Sequence, residues 1–453
     1  VTTGLAMEFQ FGTNWAYYSH YVGDIFGAPL AIEALMAFFL ESTLFGLFFF
    51  GWERMSKVKH LAVTWLMAIA TNLSALWILI ANGWMQYPIG SEFNIETMRM
   101  EMTSFAEVLL NPVAQVKFVH TVSAGYVTGA IFMLAISSWY LLKGRDLPFA
   151  RRSFAIASAF GLAGVLSVIV LGDESGYEAG EVQQVKLAAI EAEWETQEAP
   201  AAFTLFGLPN EETQHTDYAV KIPAVLGLIA TRSLDEQVPG LREIKENNLK
   251  RIVRGQQAYD LMQRIRAGDK SATTLEAFNA VRDDLGFGLL LSGYTDDVLN
   301  ASPEEIAAAV EATVPKVWPL FWSFRVMVGC GMLMLLLFAC AFWHSARRTP
   351  DKPKWLLKFA IFSLPLPWIA CETGWFVAEY GRQPWAIGEI LPTHLAVSSL
   401  SVSEVWFTLI SIAVLYTIFV IIEVWLMTKY ARKGPSSLHT GRYDLETTHV
   451  QEA

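Results

Sequence analysis

Charge and cysteine are both scarce in this chain, and the two shortages exclude different things. Only 17% of its 453 residues are charged, against 53% hydrophobic and 13% aromatic. A soluble domain carries roughly a quarter charged residues, so this composition is that of an integral membrane protein. The three cysteines, Cys330, Cys340 and Cys371, all fall inside apolar runs, which excludes a disulfide framework and a cysteine-built metal cluster. There is no basic patch suited to nucleic acid, no internal repeat and no low-complexity tract. Histidine is thin as well: of eight, only His120 lies deep in an apolar run, which argues against a copper site made of clustered membrane histidines. No signal peptide is visible, and the opening VTTGLAMEFQFG reads as the tail of a helix, so the expectation is a fragment of a longer protein.

What is present is a succession of long apolar segments. Seven are long enough to cross a bilayer, near 26–51, 61–86, 113–142, 152–171, 317–344, 355–382 and 402–429, after the tail of an earlier one at 1–12. The net charge of −11 is not spread evenly: the stretch 173–316 holds 25 acidic and 13 basic residues, and the remainder 19 acidic and 20 basic. Short basic connections carry Arg54, Lys57 and Lys59, then Lys143, Arg145, Arg151 and Arg152, then Arg347, Arg348, Lys352 and Lys354, with Lys429, Arg432 and Lys433 in the tail. Excess Lys and Arg mark cytoplasmic loops, which puts the C-terminus inside and the acidic insertion 172–316 outside. The expected fold is therefore an all-α, polytopic helical bundle with a large outer-face loop. Its parts are spans over 1–171, the loop at 172–316, spans over 317–430 and a cytoplasmic tail at 431–453. Within the loop, EVQQVKLAAIEAEWETQ and LREIKENNLKRIVRGQQAYDLMQRIR have helical spacing.

Ionisable residues in spans are costly and stay where they pair, line water or bind something. CETGWFVAEYGRQPW, Cys371 to Trp385, closes a span of about 28 residues at ~1.5 Å rise each, and places Glu372, Trp375, Glu379 and Arg382 on one stripe. A surface salt bridge between Glu379 and Arg382 is the plainer reading, a ligand site the sharper one. Glu33 and Glu41 share one span, eight residues or ~12 Å apart along the axis, and suit proton passage through water as well as helix pairing; Ser74 and Asn82 extend the polar track. His120 and Met327 lie at comparable depth on different spans. Each alone is ordinary packing; together they suit the two axial ligands of a low-spin haem, with Ser123, Ala124 and Gly125 leaving room and Arg325 supplying positive charge.

Taken together, MEFQFGTNW (Met7–Trp15), NGWMQ (Asn82–Gln86), KFVHTV (Lys117–Val122), GDESGYE (Gly172–Glu178), KLAAIEAEWET (Lys186–Thr196) and GRQPW (Gly381–Trp385) resemble subunit I of the cytochrome bd quinol oxidases, in the long-loop variety, over essentially the whole chain. The resemblance implies that His120 and Met327 hold a low-spin haem b beside Arg325. It implies that Glu379 ligates a high-spin haem b, with Trp375 and Arg382 near it. Lys186, Glu191, Asp173 and Tyr177 are implied at the quinol site, and Glu33, Glu41 and Ser74 in proton delivery and haem surroundings. One departure is plain: the family's histidine for haem d sits on a first helix that this sequence lacks, which truncation would explain. The implied enzyme is a copper-free quinol:oxygen oxidoreductase of a bacterial inner membrane. It would oxidise ubiquinol or menaquinol at the outer face and reduce O2 with protons from the cytoplasm, alongside a subunit II and a small single-span subunit. A cation-coupled transporter using Glu33, Glu41 and Glu379 is the alternative of another class, and it predicts a colourless protein.

Overall fold

The computed structural model describes residues 2–52 and 54–435; the tail from 436 to 453, with His439 and His449, lies outside the described residues. Helix α1 (Thr2–Thr13) is followed by a long rod made of α2 (Ala16–Glu33), a π-helical segment (Ala34–Phe39) and α3 (Leu40–Phe50). The rod begins ten residues before the apolar run suggests, because AYYSHYVGD tolerates helix although it is only half apolar. Helix α4 (Lys57–Gln86) starts at Ser56, whose side chain caps the Lys59 amide. A hairpin, β1 (Ser91–Asn94) with β2 (Arg99–Met102), and a short α5 (Phe105–Leu109) lead to α6 (Pro112–Lys143). The α6 start is fixed by the Asn111 cap and Pro112 in the first turn, and its end by Gly144 at φ 66°.

Helix α7 (Leu147–Val182) departs from the expected 152–171. It continues through GDESGYE, so Asp173 and Tyr177 stand on a helix that projects out of the apolar zone. The loop then forms α8 (Gln184–Glu191), which stops at Ala192 in the left-handed region, an antiparallel hairpin of β3 (Phe203–Asn210) and β4 (His215–Ile222), α9 (Val225–Ala230), α10 (Leu241–Arg266), α11 (Ala272–Val281), α12 (Leu285–Leu291) and α13 (Pro303–Ala312). The hairpin is a strand element that helical periodicity did not reveal. The loop has cores of its own, around Ile252, Phe287 and Leu291 and around Ala258, Met262 and Phe278.

Helix α14 (Val317–Ala346) returns through the bundle. The next crossing is not the single helix expected at 355–382: α15 (Lys354–Phe362) and α16 (Leu366–Tyr380) meet at 40° across a break at 363–365. Pro365 and Pro367 supply no amide hydrogens there, so the helix cannot run through. A small hairpin, β5 (Trp385–Ile387) with β6 (Leu391–Pro392), α17 (Thr393–Ala396) and α18 (Val402–Lys433) complete the chain. Among the described residues six helical segments are long and apolar enough to cross a membrane, seven with the broken pair.

The main core joins α6, α7, α14 and α15 through Leu134, Phe154, Leu337, Phe338 and Leu356. Gly161 is required here, since a Cβ would stand 2.0 Å from the Phe338 ring. A second core ties α2 and α4 to 386–396 through Ile25, Ile80, Trp84 and Ile387. A third seats α8 and α9 on the start of α14. Basic connections meet at one end: Arg145 donates to the backbone oxygens of Arg432 and Lys433 at 2.5 Å, and Arg151 pairs with Asp351 at 3.1 Å.

Candidate functional site

Two buried polar clusters stand where the loop meets the bundle. The first surrounds Glu379, on the last turn of α16. Its Oε1 accepts from Asn82 Nδ2 at 2.9 Å and Gln86 Nε2 at 3.4 Å, and its Oε2 from Arg382 Nη2 at 2.5 Å. Lys117 Nζ donates to Asn82 Oδ1 at 2.8 Å, and Lys186 Nζ to Gln86 Oε1 at 2.7 Å and Gln183 Oε1 at 2.8 Å. The Glu379–Arg382 salt bridge anticipated as the plain reading is thus one edge of a network spanning α4, α6, α8 and α16. Two glycines make the approach possible. A Cβ on Gly83 would lie 2.5 Å from Ala114, and one on Gly381 2.9 Å from the Lys186 stem. Burial, with the like charges of Lys117 and Arg382, holds the Lys186 ammonium well below its ordinary range, against the pull of Glu379.

A cleft of about 710 Å³ opens beside this cluster, lined by Gln86, Gln183, Lys186, Asn247, Arg251 and Arg382 among others. Its far wall is locked in place: Asp284 bridges Arg251 at 2.7 Å and Arg254 at 2.6 Å, and Arg251 also reaches Glu389 at 2.6 Å. Helix α10 is thereby tied to the segment that follows Arg382.

The second cluster lies at the turn ending α8. Glu191, 2% exposed, accepts from Arg325 Nη2 at 2.8 Å. Arg325 also donates to the backbone oxygens of Ile190 and Thr204, and its guanidinium stacks 3.5 Å above the Phe321 ring. Burial pushes the Glu191 carboxyl well above the usual carboxylate range, with Arg325 opposing and Glu193 adding to the rise. Lys186 and Glu191, expected together, therefore serve different clusters, five residues apart along one helix.

His120 and Met327 address different neighbours. The His120 ring lies over Gly172 of α7, where a Cβ would meet Cε1 at 3.5 Å; the Met327 sulfur lies over Gly374 of α16, where a Cβ would stand at 2.8 Å. Ser123, expected to leave room beside His120, instead bonds Ser167 of α7 at 2.9 Å. A haem fits these residues on two observations. Nε and Nη1 of Arg382 are buried with no hydrogen-bond partner among the described residues, which suits an anionic group. Gly125 and Gly129 on α6 and Gly329 and Gly331 on α14 have open space where a side chain would begin.

The remaining residues are dispersed. Ser74 donates to Glu33 at 3.0 Å, whereas Glu41 lies beyond the π-helical segment, so ideal α spacing does not fix its facing relative to Glu33. Asp173 and Glu174 clasp Arg232 at 2.5 and 2.8 Å, and that guanidinium lies 5.2 Å from the Tyr177 ring centre. Trp375 is 51% exposed on the bundle surface and Glu372 is exposed too. Lys117, Gln86, Gln183 and Glu193 escaped the sequence reading as single residues, although Lys117, Gln86 and Glu193 stand in the motifs KFVHTV, NGWMQ and KLAAIEAEWET.

Comparison with known proteins gives a consistent picture. A family model described as cytochrome bd terminal oxidase subunit I matches residues 1–435. The chain is 57% identical over 440 residues to the cytochrome bd-II ubiquinol oxidase subunit 1 of Escherichia coli (strain K12), covering 97% of this chain and 86% of that one. It is 33% identical over 446 residues to the cytochrome bd ubiquinol oxidase subunit 1 of Bacillus subtilis (strain 168), covering 98% and 82%. The fold matches the solved bd oxidase from Geobacillus thermodenitrificans with a TM-score of 0.70 at 24% identity, over 96% of this chain and 84% of that one.

Proposed function

The chain belongs to the cytochrome bd terminal oxidase subunit I family, and from that premise we propose how its residues divide the work of a quinol:oxygen oxidoreductase. It is a multi-pass membrane subunit of a bacterial respiratory oxidase that uses haem, quinol and O2; the transporter alternative has no support. The proposed division puts quinol oxidation at the outer, acidic side and proton uptake at the basic, cytoplasmic side. The observation that carries it is the buried hydrogen-bond chain from Lys186 through Gln86 to Glu379, which joins the loop to the spanning carboxylate.

His120 and Met327 would hold a low-spin haem b, Glu379 a high-spin haem b, and haem d would complete the oxygen site. Bound, these groups supply one-electron transfer and oxygen binding. The protein's own residues do the rest. Lys186, stripped of water and bonded to Gln86 and Gln183, is positioned to orient a quinol oxygen. Glu191, its carboxyl raised by burial, is suited to accept a quinol proton near neutral pH. Asp173 and Tyr177, which meet at Arg232 on the projecting end of α7, would lie near the quinol head group, as the family resemblance implies. Arg382 and Trp375 would flank the high-spin group, Arg382 through its two unpartnered nitrogens. Ser74 and Glu33 form one hydrogen-bonded step of an inward proton route, and Glu41, on the basic side of the π-helical segment, an earlier one. Partner subunits, a subunit II and a small single-span chain, would cover the bundle's exposed flank; α18 buries none of its residues against this chain.

Gln86→Leu tests the carrying observation. Quinol-driven O2 consumption should fall at least ~10-fold with haem bands intact; unchanged turnover would overturn the role given to this chain of bonds. Glu41→Ala should slow O2 turnover while quinol still reduces the low-spin centre.

A further inference from the structure

The turn that ends α8 buries two carboxylates against one cation. Ala192 adopts φ 53°, which reverses the chain so that Glu191 and Glu193 enter the same buried region. Glu193 is 4% exposed; its Oε2 accepts from Gln197 Nε2 at 2.6 Å, and its Oε1 is buried with no hydrogen-bond partner among the described residues. Its backbone is held by Leu241, whose amide donates to the Glu193 oxygen at 2.8 Å. The β3–β4 hairpin closes the region from above: Thr204 accepts from Arg325, and Thr216 bonds Trp194 at 3.0 Å. The charged groups facing Glu193 are Glu191 of α8, Arg325 of α14 and Lys221 of β4, and Lys221 is exposed.

Among the described residues only one largely buried cation, Arg325, stands by the two buried carboxylates, because Lys221 is exposed and screened by water; a buried carboxylate balanced so weakly takes a proton instead. We infer that Glu193 is a second proton-holding carboxylate, taking the quinol proton from Glu191 and releasing it to water at the outer face, on the side where Gln197 and the exposed Lys221 lie. The inference rests on the reading of Glu191 as proton acceptor. Glu193 touches no reacting atom; it acts through Glu191. Oxidation of one quinol releases two protons and two electrons. The electrons go to the oxidant the enzyme already uses, O2, and the two protons leave one after the other by the same path, from the quinol oxygen to Glu191, then Glu193, then water at the outer face. Burial raises both groups above the ordinary range, and Glu193 adds to the rise of Glu191, which favours a proton held in this region.

The test uses the complete purified oxidase in liposomes, with a short-chain benzoquinol as substrate, and compares wild type, Glu193→Gln and Glu191→Gln. Glutamine keeps the size of residue 193 and can still accept from Gln197, so a purely structural role would survive. The expected result is a ~10-fold lower kcat at the optimum and an acidic limb of the kcat–pH profile moved about one unit toward acid, because Glu191 loses a neighbouring negative charge. Haem bands should stay at wild-type intensity. A wild-type profile in Glu193→Gln, while Glu191→Gln abolishes quinol oxidation, overturns the inference alone. If Glu191→Gln also behaves as wild type, the reading of Glu191 fails and the inference falls with it. Should Glu193→Gln not assemble, Gln197→Leu removes the hydrogen bond that steadies the ionised Glu193; the limb must then move to higher pH, and an unmoved limb overturns the proposal.

Discussion

The two buried clusters are mirror images in charge. Around Glu379 three basic side chains, Lys117, Lys186 and Arg382, surround one carboxylate, and two Arg382 nitrogens have no hydrogen-bond partner among the described residues. Beside Arg325 two carboxylates are buried with one largely buried cation, Glu191 paired to it at 2.8 Å and Glu193 not, and a Glu193 oxygen has no hydrogen-bond partner among the described residues. Excess donors in a dry site favour an anionic guest and repel protons; excess acceptors favour a proton. Two regions fed by the same helix, α8, are thus suited to opposite tasks, one to hold an acidic group and one to accept hydrogen ions.

Removing Glu379 should break that contrast most severely. Glu379→Ala strands three basic groups, and breaking a buried pair costs about 3–5 kcal/mol; quinol-driven O2 consumption should fall more than ~100-fold, with loss of high-spin haem absorption. Retention of both would remove the case for an anion-holding site there. Arg325→Gln sharpens the other side: with no cation, both carboxyls rise further, so the acidic limb should move to higher pH and activity near pH 7 should drop ~10-fold. Stability should carry the same signature. Because both folded carboxyls sit above their unfolded values, the native state binds more protons between the ordinary carboxyl range and those raised values. The cluster's contribution is therefore greatest in acid and declines as pH rises through that window. Denaturant melts of wild type and Glu193→Gln across pH should show the flatter profile in the variant.

Gly374→Ala probes the Met327 environment, which neither cluster owns. A Cβ 2.8 Å from the sulfur must displace it, at about 1–3 kcal/mol, and the low-spin bands should shift. Ser74→Ala is the mildest change: it deletes one 3.0 Å hydrogen bond to Glu33, about 1 kcal/mol, and should slow turnover only a few-fold.

Much of this was legible beforehand. Apolar length gave the crossings and the acidic segment gave the loop, because both are sums over many residues and tolerate local error. Element ends were harder to read. α7 overruns its apolar run by eleven residues because polar sequence can stay helical outside the membrane, and Pro365 and Pro367 break a crossing that hydropathy alone counts as whole. The motifs KFVHTV, NGWMQ and GRQPW marked three parts of the Glu379 cluster without showing that they belong together. KLAAIEAEWET contained Glu193 without singling it out, and its neighbour Arg325 is 132 positions away, on the spanning helix α14.

What the linear order of residues determined is the class: a membrane bundle with an acidic cap, few ionisable groups in its spans, and a family resemblance that the comparisons bear out. What only the tertiary structure decided is the partnership of those groups. Hydropathy is additive along a chain, whereas the state of a buried charge depends on which other charges lie within a few ångströms, and that is set by helix packing at glycines such as Gly83 and Gly381 and by one left-handed residue at Ala192.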